Sequence, residues 1–96
     1  MYSTNEILTI LRAKKKDLEK KYPIVELGLF GSYARGDYNE QSDIDILVDF
    51  NGRIGIDFIG LAQELEDTFQ TKIDVISRKG IQPKYLPFVE KNLIHV

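Results

Sequence analysis

The chain has no cysteine and a single histidine, His95, close to its end. Disulfides and thiolate metal sites are therefore excluded, and a zinc enzyme is not expected. Tryptophan is absent and prolines number three. No apolar run approaches the ~20 residues that a membrane span needs. Met1 to Ile10 lacks a basic stretch followed by an apolar one, so no secretory signal is expected and the expected location is the cytoplasm. Positive charge is not in excess: 13 Lys and Arg against 15 Asp and Glu give a net charge of −2. That balance argues against a general nucleic-acid binder, and no direct nucleic-acid contact is expected. The one basic run, Lys14-Lys15-Lys16, reads as a solvated helix face before it reads as a basic patch.

What is present is ordinary for a globular protein: 96 residues, 43% hydrophobic and 29% charged. Residues 1–96 are expected to form one small domain with one core. Ser3 and Glu6 stand at capping-box spacing before Ile7, Leu8, Leu11 and Leu18, which recur at helical intervals. Tyr22-Pro23 ends that helix. Ile24 to Phe30 reads as a first strand and Gly31 to Gln41 as a polar loop with room for one helical turn. Asp43 to Phe50 reads as a second strand, with Ile44, Ile46, Val48 and Phe50 on one face. Asn51-Gly52 marks a turn. Asp57 is expected to cap a helix carrying Phe58, Leu61, Leu65 and Phe69. Lys72 to Ser77 reads as a third strand, Tyr85 to Lys91 as a short helix entered or kinked at Pro87, and Leu93 to Val96 as a last short strand. The order predicts an α+β, two-layer domain: a small mixed sheet with helices packed on one face.

The chemistry is carried by carboxylates. Asp43 and Asp45 are alternate residues of a strand, so they project from one face about 6.6 Å apart. Two ionised carboxylates so close repel each other. A hard cation such as Mg²⁺ relieves this, and Mg²⁺ prefers one or two carboxylates plus phosphate oxygens. The plainer reading is a half-exposed strand with its polar residues outward. Two further features bear on the choice. Gly31-Ser32 directly follows an apolar strand. Glycine lets a backbone approach a phosphate, and a helix opened at Ser32 offers free N–H groups to an anion. Asp74 sits in the middle of Ile73-Asp74-Val75, where aspartate is depleted. Either it pairs with Lys72 or Arg78, or it lies about 4.8 Å across from the Asp43/Asp45 row on a neighbouring strand.

Gly31-Ser32-Tyr33-Ala34-Arg35-Gly36-Asp37, followed by Ser42-Asp43-Ile44-Asp45-Ile46-Leu47-Val48, resembles the signature of the nucleotidyltransferase superfamily that includes DNA polymerase beta. It is most similar to the minimal nucleotidyltransferases. The resemblance implies the nucleotidyltransferase fold, with Asp43, Asp45 and Asp74 as catalytic residues and metal ligands. It implies two Mg²⁺ ions, ATP as donor, and Gly31 and Ser32 on the β- and γ-phosphates. Asp74 is the implied base for the acceptor hydroxyl. Arg35 has two readings, a contact to phosphate or a pair with Asp37. Asp49 reads as a solvated strand end, Tyr33 and Tyr38 as packing residues, and His95 as a structural one. Minimal nucleotidyltransferases are also known as partners of HEPN proteins, small helical RNases. In that light the chain is expected to be the antitoxin of a toxin–antitoxin pair and part of a hetero-oligomer. It would transfer AMP from ATP to a toxin hydroxyl, on tyrosine. The alternative is a non-catalytic antitoxin that neutralises its partner by contact.

Overall fold

A computed structural model describes residues 2–96. Helix α1 spans Thr4–Lys21, and both halves of the expected capping box form: the Ser3 hydroxyl accepts from the Glu6 amide and the Glu6 carboxylate accepts from the Ser3 amide. Strand β1 spans Ile24–Phe30, helix α2 Gly31–Arg35, and strand β2 Ile44–Phe50. Helix α3 spans Asp57–Phe69 and strand β3 Ile73–Ser77. A 3₁₀ turn over Arg78–Gly80, helix α4 over Leu86–Glu90 and strand β4 over Ile94–His95 complete the order.

The sheet has the order β3-β2-β1-β4. β1 is antiparallel to β2 and to β4, while β2 and β3 run parallel, so the sheet is mixed. Leu27 and Leu29 of β1 and Ile44, Ile46, Val48 and Phe50 of β2 face one side. They are buried together with Ile7, Leu11 and Leu18 of α1 and Leu61, Leu65 and Phe69 of α3. That layer is the core. At roughly 25 cal/mol per Å² of apolar surface removed from water, it is the main source of stability.

Two local readings change. Asp57 is the first residue of α3, and Ile56, with no side-chain bond, holds the cap position. Asp57 therefore favours the helix through its charge at the positive N-terminal end. Asp43 falls one residue before β2. Lys14-Lys15-Lys16 forms no common patch. Lys14 pairs with Glu64 at 3.2 Å, Lys15 donates to the Val96 carbonyl at 2.8 Å, and Lys16 is exposed.

The opposite sheet face is divided. Its distal half carries Glu26 and Gly28 of β1 and Leu47 of β2, and Leu47 is fully buried although it alternates with Asp45 and Asp49. The segment after β3 accounts for this. Leu93 packs directly on Gly28. Arg78 grips Glu26 with two hydrogen bonds, of 2.5 and 2.8 Å, and also pairs with Glu90 of α4. His95 closes on Glu26 at 2.5 Å, which fits its expected structural role. Arg78, donating to Glu26, holds that carboxyl below the usual carboxylate range, with His95 adding to the effect. α4 is thereby tied over the distal half, and the proximal half is left to the acids.

Candidate active site

β1 delivers the chain straight into α2, and the junction is Gly31. Its φ is +72°, the left-handed region, where a side chain is strained. A β-carbon there would also overlap the Asp45 carboxylate, with Asp45 Cγ 2.9 Å away and Asp45 Cβ 3.2 Å away. The sequence alone suggests a glycine here as clearance for a phosphate. The structure gives it a second reason, which is clearance for Asp45 itself. α2 is one short turn, closed by a bond from the Gly36 amide to the Ser32 carbonyl at 2.8 Å. Tyr33 and Tyr38 pack as expected. Their rings stack with centroids 4.4 Å apart and 17° between planes, and Tyr33 is buried. Thr4 ties α1 to this turn through the Tyr33 carbonyl at 2.5 Å.

The acids sit where parallel pairing brings them together. Asp45 is in register with Asp74, as Ile44 is with Ile73 and Ile46 with Val75. Residues in register share a face, so Asp74 lies beside Asp45 on the half left open by α4. Asp74 has no ion pair among the described residues, and Arg78 is committed to Glu26 and Glu90 instead. Arg35 pairs with Asp37 at 3.2 Å. Asp49 accepts a bond from the Phe50 amide at 2.9 Å, and its neighbour across β1 is Glu26, away from the other acids.

Charge at this site is unbalanced. Burial pushes the Asp45 carboxyl from 3.8 up to about 6, and repulsion from Asp74 and then Asp43 adds to the rise. Arg35 opposes it only in part, while Asp74 lies within hydrogen-bonding reach and favours the protonated form. Among the described residues no three His, Cys, Asp or Glu side chains stand close enough to hold one ion by themselves. The donor set is nonetheless all anionic oxygen. That suits Mg²⁺, which takes one or two carboxylates and completes its shell with water and phosphate.

The raised Asp45 value has a measurable consequence. A carboxyl whose folded value lies above its unfolded value contributes stability that is full below the unfolded value. That contribution is lost as pH rises through the folded value, here from about 4 to about 6. The linkage ceiling for such a shift is about 3 kcal/mol, and solvent screening of this partly exposed side chain reduces it to about 1 kcal/mol. Asp45→Asn should therefore be more stable than the parent at pH 7 in EDTA by about that amount. The gap should close by pH 4. Urea denaturation of both proteins across this range decides it, and a gap that does not vary with pH would refute the assignment.

A nucleotidyltransferase domain family matches residues 11–95. The protein adenylyltransferase MntA of Thermococcus cleftensis is 35% identical over 97 residues, covering 100% of this chain and 98% of its own. A solved structure provisionally described as a minimal nucleotidyltransferase superposes with a TM-score of 0.84 at 28% identity, covering 99% of this chain and 97% of that one. A complex of a tri-AMPylated Shewanella oneidensis HEPN toxin with an MNT antitoxin shares the fold, with a TM-score of 0.60 at 22% identity, covering 96% of this chain and 66% of that one. By sequence and by fold, the chain belongs to the nucleotidyltransferase domain family.

Proposed function

We propose that this chain is an antitoxin that transfers AMP from ATP to a tyrosine hydroxyl of a HEPN-type partner. The observation that carries the reading is the Asp45–Asp74 register beside Gly31, three elements meeting on the one open half of the sheet. The kinship to an adenylyltransferase and the fold shared with an antitoxin bound to an AMPylated toxin agree with it.

Gly31 and Ser32, at the free N–H end of α2, hold the β- and γ-phosphates. Asp43, Asp45 and Asp74 would share Mg²⁺ with the donor's phosphate oxygens, which complete a shell the three carboxylates cannot close unaided, and the ion supplies neutralisation of phosphate charge when bound. Asp74 takes the proton from the acceptor hydroxyl. The acceptor oxygen attacks the α-phosphorus in line, the bond from that phosphorus to the β-phosphate bridge breaks, and pyrophosphate leaves. Positioning and charge stabilisation supply most of the acceleration in such transfers. In this reading Arg35 exchanges Asp37 for a phosphate, a bidentate contact its guanidinium suits.

Ligand linkage gives a direct test. Mg-ATP at 100 times Kd should stabilise the fold by about 2.7 kcal/mol. Thermal melts should show a rise in Tm with Mg-ATP that EDTA abolishes. No rise at millimolar ligand would remove the donor site from this reading. Transfer itself is read by intact-mass spectrometry of the purified partner, which should gain AMP only when chain, ATP and Mg²⁺ are all present.

A further inference from the structure

Asp43 is the one proposed metal ligand that the sheet does not hold. Asp45 is in register with Phe30 on one flank and with Asp74 on the other. Asp43 lies outside both ladders, because β2 begins at Ile44 and its pairing with β3 begins there too. Asp43 is exposed, and its carboxylate enters no ion pair among the described residues. Its place is therefore set by the backbone on either side. On one side that backbone is β2. On the other it is the loop that follows α2.

That loop is tied where it meets the acid. The Ser42 amide donates to the Asn39 carbonyl at 3.0 Å, and the Asn39 amide donates back to the Ser42 hydroxyl at 2.9 Å. The Asn39 side-chain oxygen accepts from the Gln41 amide at 2.8 Å. Two of these three bonds run through side chains. Asparagine and serine suit such a turn, since their oxygens reach backbone amides a few residues away. The turn also has a footing. Tyr38, directly before Asn39, stacks on the buried ring of Tyr33, and the Tyr33 carbonyl accepts from the Thr4 hydroxyl of α1. Contacts thus run from the core to the residue ahead of Asp43, although Asn39, Glu40 and Gln41 are all exposed.

We propose that Asn39 and Ser42 are positioning residues for Asp43, fixing its backbone before a metal arrives. The inference rests on the metal-site reading above and deepens it. A backbone already fixed need not be ordered at the moment of binding, and ordering one free residue weakens affinity on the order of tenfold. The acid with no place in the ladder receives from a turn the fixity that Asp45 and Asp74 receive from strands. A turn that merely closed the loop would matter equally with or without the Asp43 carboxylate.

The metal-free protein is read by amide hydrogen exchange. In Ser42→Ala and Asn39→Ala the amide of residue 42 should exchange at least tenfold faster, while the β2 amides and the urea midpoint match wild type. Calorimetric titration with Mg-ATP should show a loss of affinity on the order of tenfold in both variants. Ser42→Thr keeps the accepting hydroxyl and should bind as wild type. On an Asp43→Asn background, where Asp45 and Asp74 remain, Ser42→Ala should cost nothing further, because the carboxylate it positions is gone. Unchanged exchange at residue 42, unchanged affinity in both alanine variants, a loss shared by Ser42→Thr, or the full loss repeated on Asp43→Asn would each overturn the positioning role alone. Absence of any Mg-ATP binding by wild type would overturn the metal site and the positioning role together.

Discussion

Replacing Asp43 and Asp45 together by asparagine is expected to reduce AMP transfer at least about a thousandfold, roughly 4 kcal/mol of transition-state stabilisation. The fold should survive. Asn preserves size, the core residues Ile44, Ile46 and Val48 are untouched, and the burial and then repulsion that raise the Asp45 carboxyl no longer act on a charge. Mg²⁺ affinity should collapse, because the amide offers neutral oxygen where the ion needs anionic ligands. The measurement is the mass of the purified partner after incubation with Mg-ATP, together with the partner's RNase activity. Parent protein should add AMP and silence the RNase, and the double variant should do neither while still co-eluting with the partner. Equal silencing by both, with no mass change in either mixture, would replace transfer with neutralisation by contact.

Gly31→Ala is the second large effect. The left-handed backbone costs a non-glycine residue about 1–2 kcal/mol. The new methyl must also displace the Asp45 carboxylate, which occupies that space. Displacement of a positioned group by about 1 Å commonly lowers rates on the order of a hundredfold. Transfer should therefore fall much further than stability accounts for. Gly36→Ala separates the two contributions. Gly36 ends α2 at φ +91° with nothing within 4 Å of a β-carbon, so it bears the backbone strain without touching an acid. Urea denaturation should show similar losses for both variants, and the mass assay should show a large loss only for Gly31→Ala. Comparable transfer by the two would mean that the Gly31–Asp45 contact is not what places the carboxylate.

Local signals made most of the fold legible. The capping box at Ser3, the stop at Pro23, the alternation of β2 and the period of α3 are short-range patterns. The elements they predict match the structure within a residue or so. The Asp45–Asp74 pairing was legible because parallel neighbours put mid-strand residues in register. What could not be read is long-range. The bonds from Arg78 and His95 to Glu26 join residues 52 and 69 positions apart, and each side chain alone looks like an ordinary surface charge. The burial of Leu47 contradicts its polar-face parity, and it lies beside Gly28, on which Leu93 packs. The fit of Asp45 against Gly31 was hidden too, since a glycine after a strand suits any tight turn.

The strand order also distributes firmness unequally among the acids. Asp45 belongs to β2, which is bonded on both flanks, whereas Asp74 belongs to β3 at the sheet's edge, bonded on one. Edge elements open locally at lower free energy than central ones, so amide hydrogens of β3 should exchange with solvent ahead of those of β2. One carboxylate is thus anchored in the most protected part of the domain. The other rides on a margin with one free flank, and in the proposed transfer an acceptor docking against that flank would stiffen the carboxylate that takes its proton.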